Sequence, residues 1–205
     1  MEKGIQLMRL SEERTIAFKE EMQEAFQHGF QAYNKDDSDA SNQWQVLPDE
    51  DFYQSLMAEG AEAYEAVDAD GQRMGGAIIT IDNSTHGGEL AFLYVKVGVQ
   101  SKGIGQSIWK SIETMHPEVE VWETCTPYFD RHNIHFYINR CGFHAVEFYN
   151  EHHPDPHMPE QLTEQREPSS ELERPSRDGR RRSQFDQEDG LFKFEKRMKY
   201  NHQVQ

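Results

Sequence analysis

A glycine-bearing segment, Gln100-Ser101-Lys102-Gly103-Ile104-Gly105, has the residue types of a phosphate-binding turn. It follows the apolar run 90–95 and precedes a segment, 106–113, with apolar residues at helical spacing. Its glycines allow a tight turn and close approach of a ligand, and Lys102 adds a positive charge. The first turn of the following helix points free N–H groups and the positive end of its dipole outward. The segment therefore predicts a strand, a turn and a helix that bind phosphate or pyrophosphate.

The spacing of the glycines excludes two common nucleotide-binding patterns. The chain has neither G-x-x-x-x-G-K-[ST] nor G-x-G-x-x-G. Its Gln-x-x-Gly-x-Gly instead resembles the acetyl-coenzyme A loop of the GNAT acyltransferase superfamily, whose pattern is Gln/Arg-x-x-Gly-x-Gly/Ala. The resemblance implies that backbone N–H groups of residues 100–105 bind the pyrophosphate of acetyl-coenzyme A. It also implies that Val95 and Val97 offer backbone groups to the pantetheine amides, although many relatives have proline where Val97 stands.

A second motif lies at residues 133–143 and resembles the C-terminal motif of the same superfamily. There, an Asn begins a helix, a Tyr sits within it, and Gly-Phe ends it. The resemblance implies that Asn133 hydrogen-bonds the pantetheine arm and that Tyr137 protonates the departing thiolate. The two residues are one helical turn apart and can share a face. Tyr137 precedes Gly142 by five residues where many relatives have four, and the alternative is that Phe136 and Tyr137 are aromatic core residues.

An amine must be neutral to attack a thioester, so a general base is expected. Glu89 begins the apolar strand before the glycine turn, and Glu123 lies on the next predicted strand. Either carboxylate can serve if burial raises its pKa toward neutrality; the alternative is a solvated carboxylate at a strand end. A period of two would place Glu89 on one face with Ala91, Leu93 and Val95. Three histidines are further candidates for the base: His86, His132 and His135.

Hydrophobic periodicity predicts the order strand, helix, helix, three antiparallel strands, helix, strand, helix and two strands. The predicted strands are 5–10, 63–67, 76–81, 89–97, 119–124, 145–149 and 191–198, and the predicted helices are 11–30, one opening at 48–51, 103–116 and 132–140. This predicts an α/β fold with a mixed, largely antiparallel twisted sheet of about seven strands flanked by helices. The order also matches the GNAT fold, over residues 4–150 and 190–198.

Composition bounds the remaining properties of the chain. Its 205 residues fit one domain. The chain has no apolar run of about 18 residues, so no membrane span is predicted. The net charge of -16 argues against nucleic acid and favours solubility, with a cationic acceptor such as a polyamine or lysine side chain left open. Cys125 and Cys141 form no disulfide framework, which fits a cytoplasmic protein, and neither has a base beside it that predicts a covalent intermediate.

The segment 152–189 breaks the pattern of strands and helices. It contains five prolines and almost no apolar residues, so we expect a disordered insertion before the last strand. A gating role for this segment stays open. Its histidines at 152–157 have no second ligand group at diagnostic spacing, so no metal site is predicted.

The resemblance to the GNAT superfamily implies an N-acetyltransferase that moves an acetyl group from acetyl-coenzyme A directly to a primary amine. The acceptor, a small molecule or a peptide, is not encoded in a readable motif; residues 26–60, Tyr128 and Phe129 are expected to line its pocket. One rival is a non-catalytic sensor of coenzyme A or acyl-coenzyme A on the same fold. Another is an interaction protein that uses 152–189, and a homodimer is possible under each hypothesis.

Overall fold

The computed structural model describes residues 4–33, 46–99, 103–128, 130–150, 152–154, 156 and 190–198. The predicted loop residues Gln100, Ser101 and Lys102, the pocket residue Phe129 and most of the segment 152–189 lie outside the described residues. The strands are β1 (Gln6–Arg9), β2 (Ala61–Val67), β3 (Arg73–Asp82), β4 (Gly87–Val95), β5 (Val121–Pro127), β6 (His144–Tyr149) and β7 (Leu191–Arg197). The helices are α1 (Thr15–Tyr33), α2 (Asp49–Met57), α3 (Ile104–Met115) and α4 (Arg131–Phe136), with a 3₁₀ turn at Glu12–Arg14 and a π-helical turn at Tyr137–Cys141.

The seven strands form one sheet in the order β1-β2-β3-β4-β5-β7-β6. Every neighbouring pair is antiparallel except β4 and β5, which are parallel. The predicted mixed, largely antiparallel seven-stranded sheet is therefore confirmed. Among the described residues, no helix is long and apolar enough to cross a membrane.

Two apolar clusters pack the helices on opposite faces of the sheet. The α3-side cluster joins Trp109 and Ile112 of α3 to Trp122 and Phe194 of the sheet. The α1-side cluster joins Phe18 of α1 and Phe52 of α2 to strands β2, β3 and β4. Burying an aromatic or large aliphatic side chain contributes about 1.5–3 kcal/mol, so both helical layers are held firmly to the sheet.

Strand β4 contains a β-bulge at its middle. Ile78 of β3 is opposite Phe92, whereas the next residue, Ile79, is opposite Leu90, so Ala91 is the extra residue. Beyond the bulge, Leu93 and Val95 pack against the α3-side cluster, while Ala91 packs on the α1 side. The prediction that Glu89 shares a face with Leu93 and Val95 is therefore wrong, because the bulge reverses the alternation.

The parallel pairing of β4 with β5 stops early. Its register runs only from Gly87 opposite Val121 to Glu89 opposite Glu123. At the next position the Thr124 hydroxyl donates to the Leu90 carbonyl at 2.8 Å, and from there β5 stays paired with β7 as far as Pro127. We call the region between 91–95 of β4 and 124–127 of β5 the strand opening.

Candidate functional site

The first turn of α3 has the geometry that the glycine segment predicts. Gly103 precedes the helix with φ 107°, a value that L side chains rarely adopt. The first intrahelical bond runs from the Ser107 N–H to the Gly103 carbonyl at 2.8 Å. The N–H groups of Ile104, Gly105 and Gln106 precede that bond and have no intrahelical acceptor. This end of α3 can therefore donate to an anion.

Gly105 of α3 lies close to both α4 and β4. A Cβ atom there would lie 3.3 Å from the Phe136 ring of α4 and 3.5 Å from Val95 Cγ2 of β4. The Gln106 side chain adds a tie, because its Nε2 donates to the Arg140 carbonyl at 2.8 Å. The structure thus places the glycine motif next to the second sequence motif and against the end of β4.

At Val95, the side of β4 that faces away from β3 borders the strand opening. The Lys96 N–H donates to the Met74 carbonyl of β3 at 2.9 Å. Because backbone groups of successive strand residues point to alternate sides, the N–H and C=O of Val95 point away from β3 and toward β5. Val97 lies in the turn after β4, where the Val99 N–H donates to the Lys96 carbonyl at 3.3 Å.

Tyr137 lies in the core beneath the strand opening. It is 6 % exposed and packs against Phe143 and Phe194, with ring centroids 5.7 and 5.8 Å away. Burial raises the pKa of Tyr137 well above its usual value, and the neighbouring Thr124 side chain offsets part of that rise. Thr124 itself donates its hydroxyl proton to the Leu90 carbonyl.

The extra residue between Tyr137 and Gly142 is taken up by the π-helical turn. The Gly142 N–H bonds the Tyr137 carbonyl five residues earlier, and Gly142 is left-handed with φ 80°. A π turn accommodates one more residue than an α turn. Gly142 therefore ends the helix as predicted, while Tyr137 keeps its inward direction.

Asn133 lies inside α4 and does not begin it. The helix starts at Arg131 with Asp130 as its N-cap. The Asn133 backbone N–H and its Nδ2 donate to the Asp130 carboxylate at 2.9 and 2.7 Å. One Nδ2 proton is used in this way, so the amide oxygen or the second Nδ2 proton of Asn133 can contact a ligand.

Glu89 and Glu123 form the last register pair before the strand opening. Their neighbours Gly88 and Trp122 contact each other on the α3 side, so both carboxylates lie on the opposite face of the sheet. Glu89 is exposed. Glu123 Oε1 lies 2.9 Å from Lys193 Nζ of β7, and the Glu123 side chain is 42 % exposed.

Two of these contacts had no signal in the sequence. Lys193 is remote from Glu123 along the chain and reaches it only because β5 and β7 pair. Thr124 has the pattern of an ordinary strand residue, and only the structure shows that its hydroxyl donates to the Leu90 carbonyl.

The other candidate residues lie around the site. Tyr128 is exposed and contacts the rings of Phe148 and Phe192. The histidine candidates His86, His132 and His135 are all exposed. Within the described ranges, no group of three or more His, Cys, Asp or Glu residues is placed to hold a metal ion.

The sheet is mixed, and its parallel strands β4 and β5 separate next to helix α3, which begins after Gly103. This arrangement defines the class of protein. The sequence pattern of the Acetyltransferase (GNAT) family matches residues 19–143, more than half of the chain. The chain belongs to the GNAT acetyltransferase family.

One curated relative is the uncharacterized protein YrkN of Bacillus subtilis (strain 168), 48 % identical over 113 residues. The match covers 55 % of this chain and 60 % of that protein, so the chain spans about 60 % of the relative's length.

Solved structures share the fold at low sequence identity. The spermidine N-acetyltransferase from Vibrio cholerae, in complex with CoA and spermine, has a TM-score of 0.57 at 10 % identity, with 95 % of each chain covered. The ribosomal-protein-S18-alanine N-acetyltransferase from Escherichia coli has a TM-score of 0.58 at 12 % identity, with 98 % of this chain and 99 % of that one covered. A Bacillus subtilis acetyltransferase in complex with CoA has a TM-score of 0.56 at 15 % identity, with 95 % and 97 % covered.

Proposed function

We propose that this protein is an N-acetyltransferase that moves an acetyl group from acetyl-coenzyme A directly to a primary amine. The observation that carries the proposal is the strand opening, which has two carboxylates at its closed end and the free N–H groups of α3 near its other end. An extended acyl thioester fits such a site. Its phosphates need N–H donors at one end, its amides need backbone partners in the middle, and its acetyl group must lie near the base at the other end.

In the proposed complex, the cofactor lies in the strand opening, along the side of β4 that faces β5. Its pyrophosphate accepts from the N–H groups of residues 100–105, and its pantetheine amides bond the backbone at Val95 and Val97 and the amide oxygen of Asn133. Coenzyme A in two of the similar structures supports this class of cosubstrate. The acetyl group then lies near the bulge of β4, where backbone N–H groups polarise its carbonyl.

The proposed chemistry is a single transfer between two bound reactants. Glu89 or Glu123, directly or through water, takes a proton from the acceptor ammonium, and the neutral amine attacks the thioester carbon. The new N–C bond forms as the C–S bond breaks. The thiolate takes up a proton from Tyr137, and the second proton that the nitrogen loses as the amide forms returns through water to the Tyr137 phenolate. Holding both reactants together supplies much of the rate.

The first experiment is calorimetric titration with acetyl-coenzyme A, with NAD and ATP as controls. We expect selective binding of acetyl-coenzyme A, followed by release of the coenzyme A thiol when a suitable amine is added. Equal weak binding of all three ligands would contradict the proposal.

The burial of Tyr137 favours a second candidate, a coenzyme A-binding sensor without catalysis. Its side chain is 6 % exposed, and burial raises the pKa of its hydroxyl, whereas a general acid must reach the thiolate and give up its proton. Tyr137→Phe separates the two functions. An enzyme that uses Tyr137 should lose about 10²-fold or more in turnover while its affinity for acetyl-coenzyme A is kept.

Tyr64→Phe is the matched control, because Tyr64 is a buried tyrosine of β2 that takes no part in the proposed site and loses the same hydroxyl. Equal turnover in both variants would exclude Tyr137 as the acid. Undetectable thiol release in the wild type with every amine tested, alongside tight binding of acetyl-coenzyme A, would favour the sensor.

A further inference from the structure

Glu123, one of the two candidate bases, is already paired with a cation of the protein itself. Lys193 Nζ lies 2.9 Å from Glu123 Oε1, and the Lys193 side chain is 19 % exposed. Partial burial alone would lower the pKa of Lys193, but its hydrogen bond to Glu123 and the charges of Glu123, Tyr149 and Glu195 together raise it. Lys193 is therefore an ammonium ion held beside the strand opening.

Lys193 lies on the side of the sheet from which an acceptor can approach. Its neighbours Phe192 and Phe194 pack against the α3-side cluster, so Lys193 points to the other face. On that face the nearby residues Glu89 and Cys125 are exposed. An amine that approaches the thioester from this side meets Glu89, Glu123 and Lys193 together.

We propose that Lys193 determines acceptor specificity, because its ammonium occupies the place on Glu123 that the ammonium group of a cationic acceptor takes on binding. This inference rests on the proposed function. Glu195, the register partner of Glu123, lies on the same face as Glu89 and Glu123. These three carboxylates and one lysine leave a negative local charge, which attracts a cation. The acceptor must nevertheless displace Lys193 from Glu123 or share that carboxylate with it, so Lys193 weakens the binding of cationic amines.

The test is the affinity of spermidine, used as a polycationic probe, for the protein saturated with coenzyme A. Calorimetry compares the wild type with Lys193→Met and with Lys110→Met. Lys110 is exposed on α3, so its replacement makes the same change in net charge away from the site. We expect Lys193→Met to bind spermidine about fivefold more tightly, the size typical of a partly exposed ion pair. Lys110→Met should not change the affinity.

A double-mutant cycle shows whether Glu123 is the group in competition. Glu123→Gln should weaken spermidine binding, and adding Lys193→Met to it should then have little further effect. Near-ultraviolet circular dichroism of each variant reports whether the fold is kept, and Lys193→Arg, which keeps the cation, serves if Lys193→Met does not fold. Lys193→Arg should bind spermidine as weakly as the wild type.

Three outcomes would overturn the inference: unchanged or weaker binding of spermidine by Lys193→Met, an equal gain in Lys110→Met, or a gain that persists without Glu123. Titration with acetyl-coenzyme A is run separately on the same proteins and should be unaffected by each lysine variant. Failure of the wild type to bind acetyl-coenzyme A would instead contradict the proposed function, so the two failures are distinguishable.

Discussion

At the scale of single residues, one hydrogen bond marks the end of the parallel pairing. The Thr124 hydroxyl donates to the Leu90 carbonyl at 2.8 Å. This bond satisfies a strand carbonyl where the strand opening begins, and leaving such a buried group unsatisfied costs about 1–3 kcal/mol. Tyr137 packs in the core next to Thr124, so it has a structural role beside the proposed catalytic one.

The two cysteines should differ sharply in reactivity. Cys141 is buried, and burial raises its pKa to about 12, so almost none of it is thiolate at neutral pH. Cys125 is exposed on β5 at the strand opening. We expect iodoacetamide to modify Cys125 in the native protein and Cys141 only after unfolding, as read by mass spectrometry of peptides.

The same labelling also locates the cofactor. Bound acetyl-coenzyme A should slow the modification of Cys125, because the proposed site lies beside it, whereas ATP at the same concentration should not. Fast labelling of Cys141 in the folded protein would contradict the packing around α4.

At the scale of elements, the start of α3 depends on one backbone angle. Gly103 has φ 107°, and a Cβ atom built there meets nothing within 4 Å. The requirement for glycine is therefore conformational rather than steric. Because residues 103–105 form the first turn of the proposed phosphate site, strain here should affect stability and cofactor binding together.

Gly103→Ala should lower the free energy of unfolding by about 1–2 kcal/mol and weaken the binding of acetyl-coenzyme A. The matched control is Gly29→Ala in α1, where a Cβ also meets nothing within 4 Å. That substitution should raise stability by about 0.5–1 kcal/mol, because alanine is the better helix former. Urea denaturation measures both variants, and changes of the same sign would contradict the predicted backbone strain.

At the scale of the whole molecule, an ion-pair network fastens the first helical segment to the sheet. Glu65 of β2 is buried and accepts from Arg14 Nε at 3.1 Å and Arg73 Nε at 2.9 Å. Arg14 also bonds Glu21, which pairs with Lys96 beside the end of β4. The network thus connects the start of α1, strands β2 and β3, and the edge of the proposed cofactor site.

Glu65→Ala should destabilise the protein by about 2 kcal/mol, less than a fully buried pair because both arginines are partly exposed. Glu195→Ala is the control, since its partner Arg197 is 79 % exposed; it should change stability by less than about 0.5 kcal/mol. Thermal and urea unfolding compare the two. A loss no larger in Glu65→Ala than in Glu195→Ala would show that the network contributes little.

The sequence by itself determined the elements and their order, because hydrophobic periods and glycine positions act locally. Residues 103–105 predicted the turn and helix start, and Gly142 predicted the end of the helical segment 131–141. The sequence also contains the two motifs, at 100–105 and 133–143, that resemble those of the family. None of these conclusions needed a contact between distant residues.

Only the tertiary structure decided what the candidate residues face. The bulge at Ala91 reversed the expected side of Leu93 and Val95, because one inserted residue shifts a period of two. The π turn kept Tyr137 pointing into the core, and the pairing of β5 with β7 brought Lys193 to Glu123. Such contacts depend on strand register and packing, which join residues far apart in the chain and so leave no local pattern.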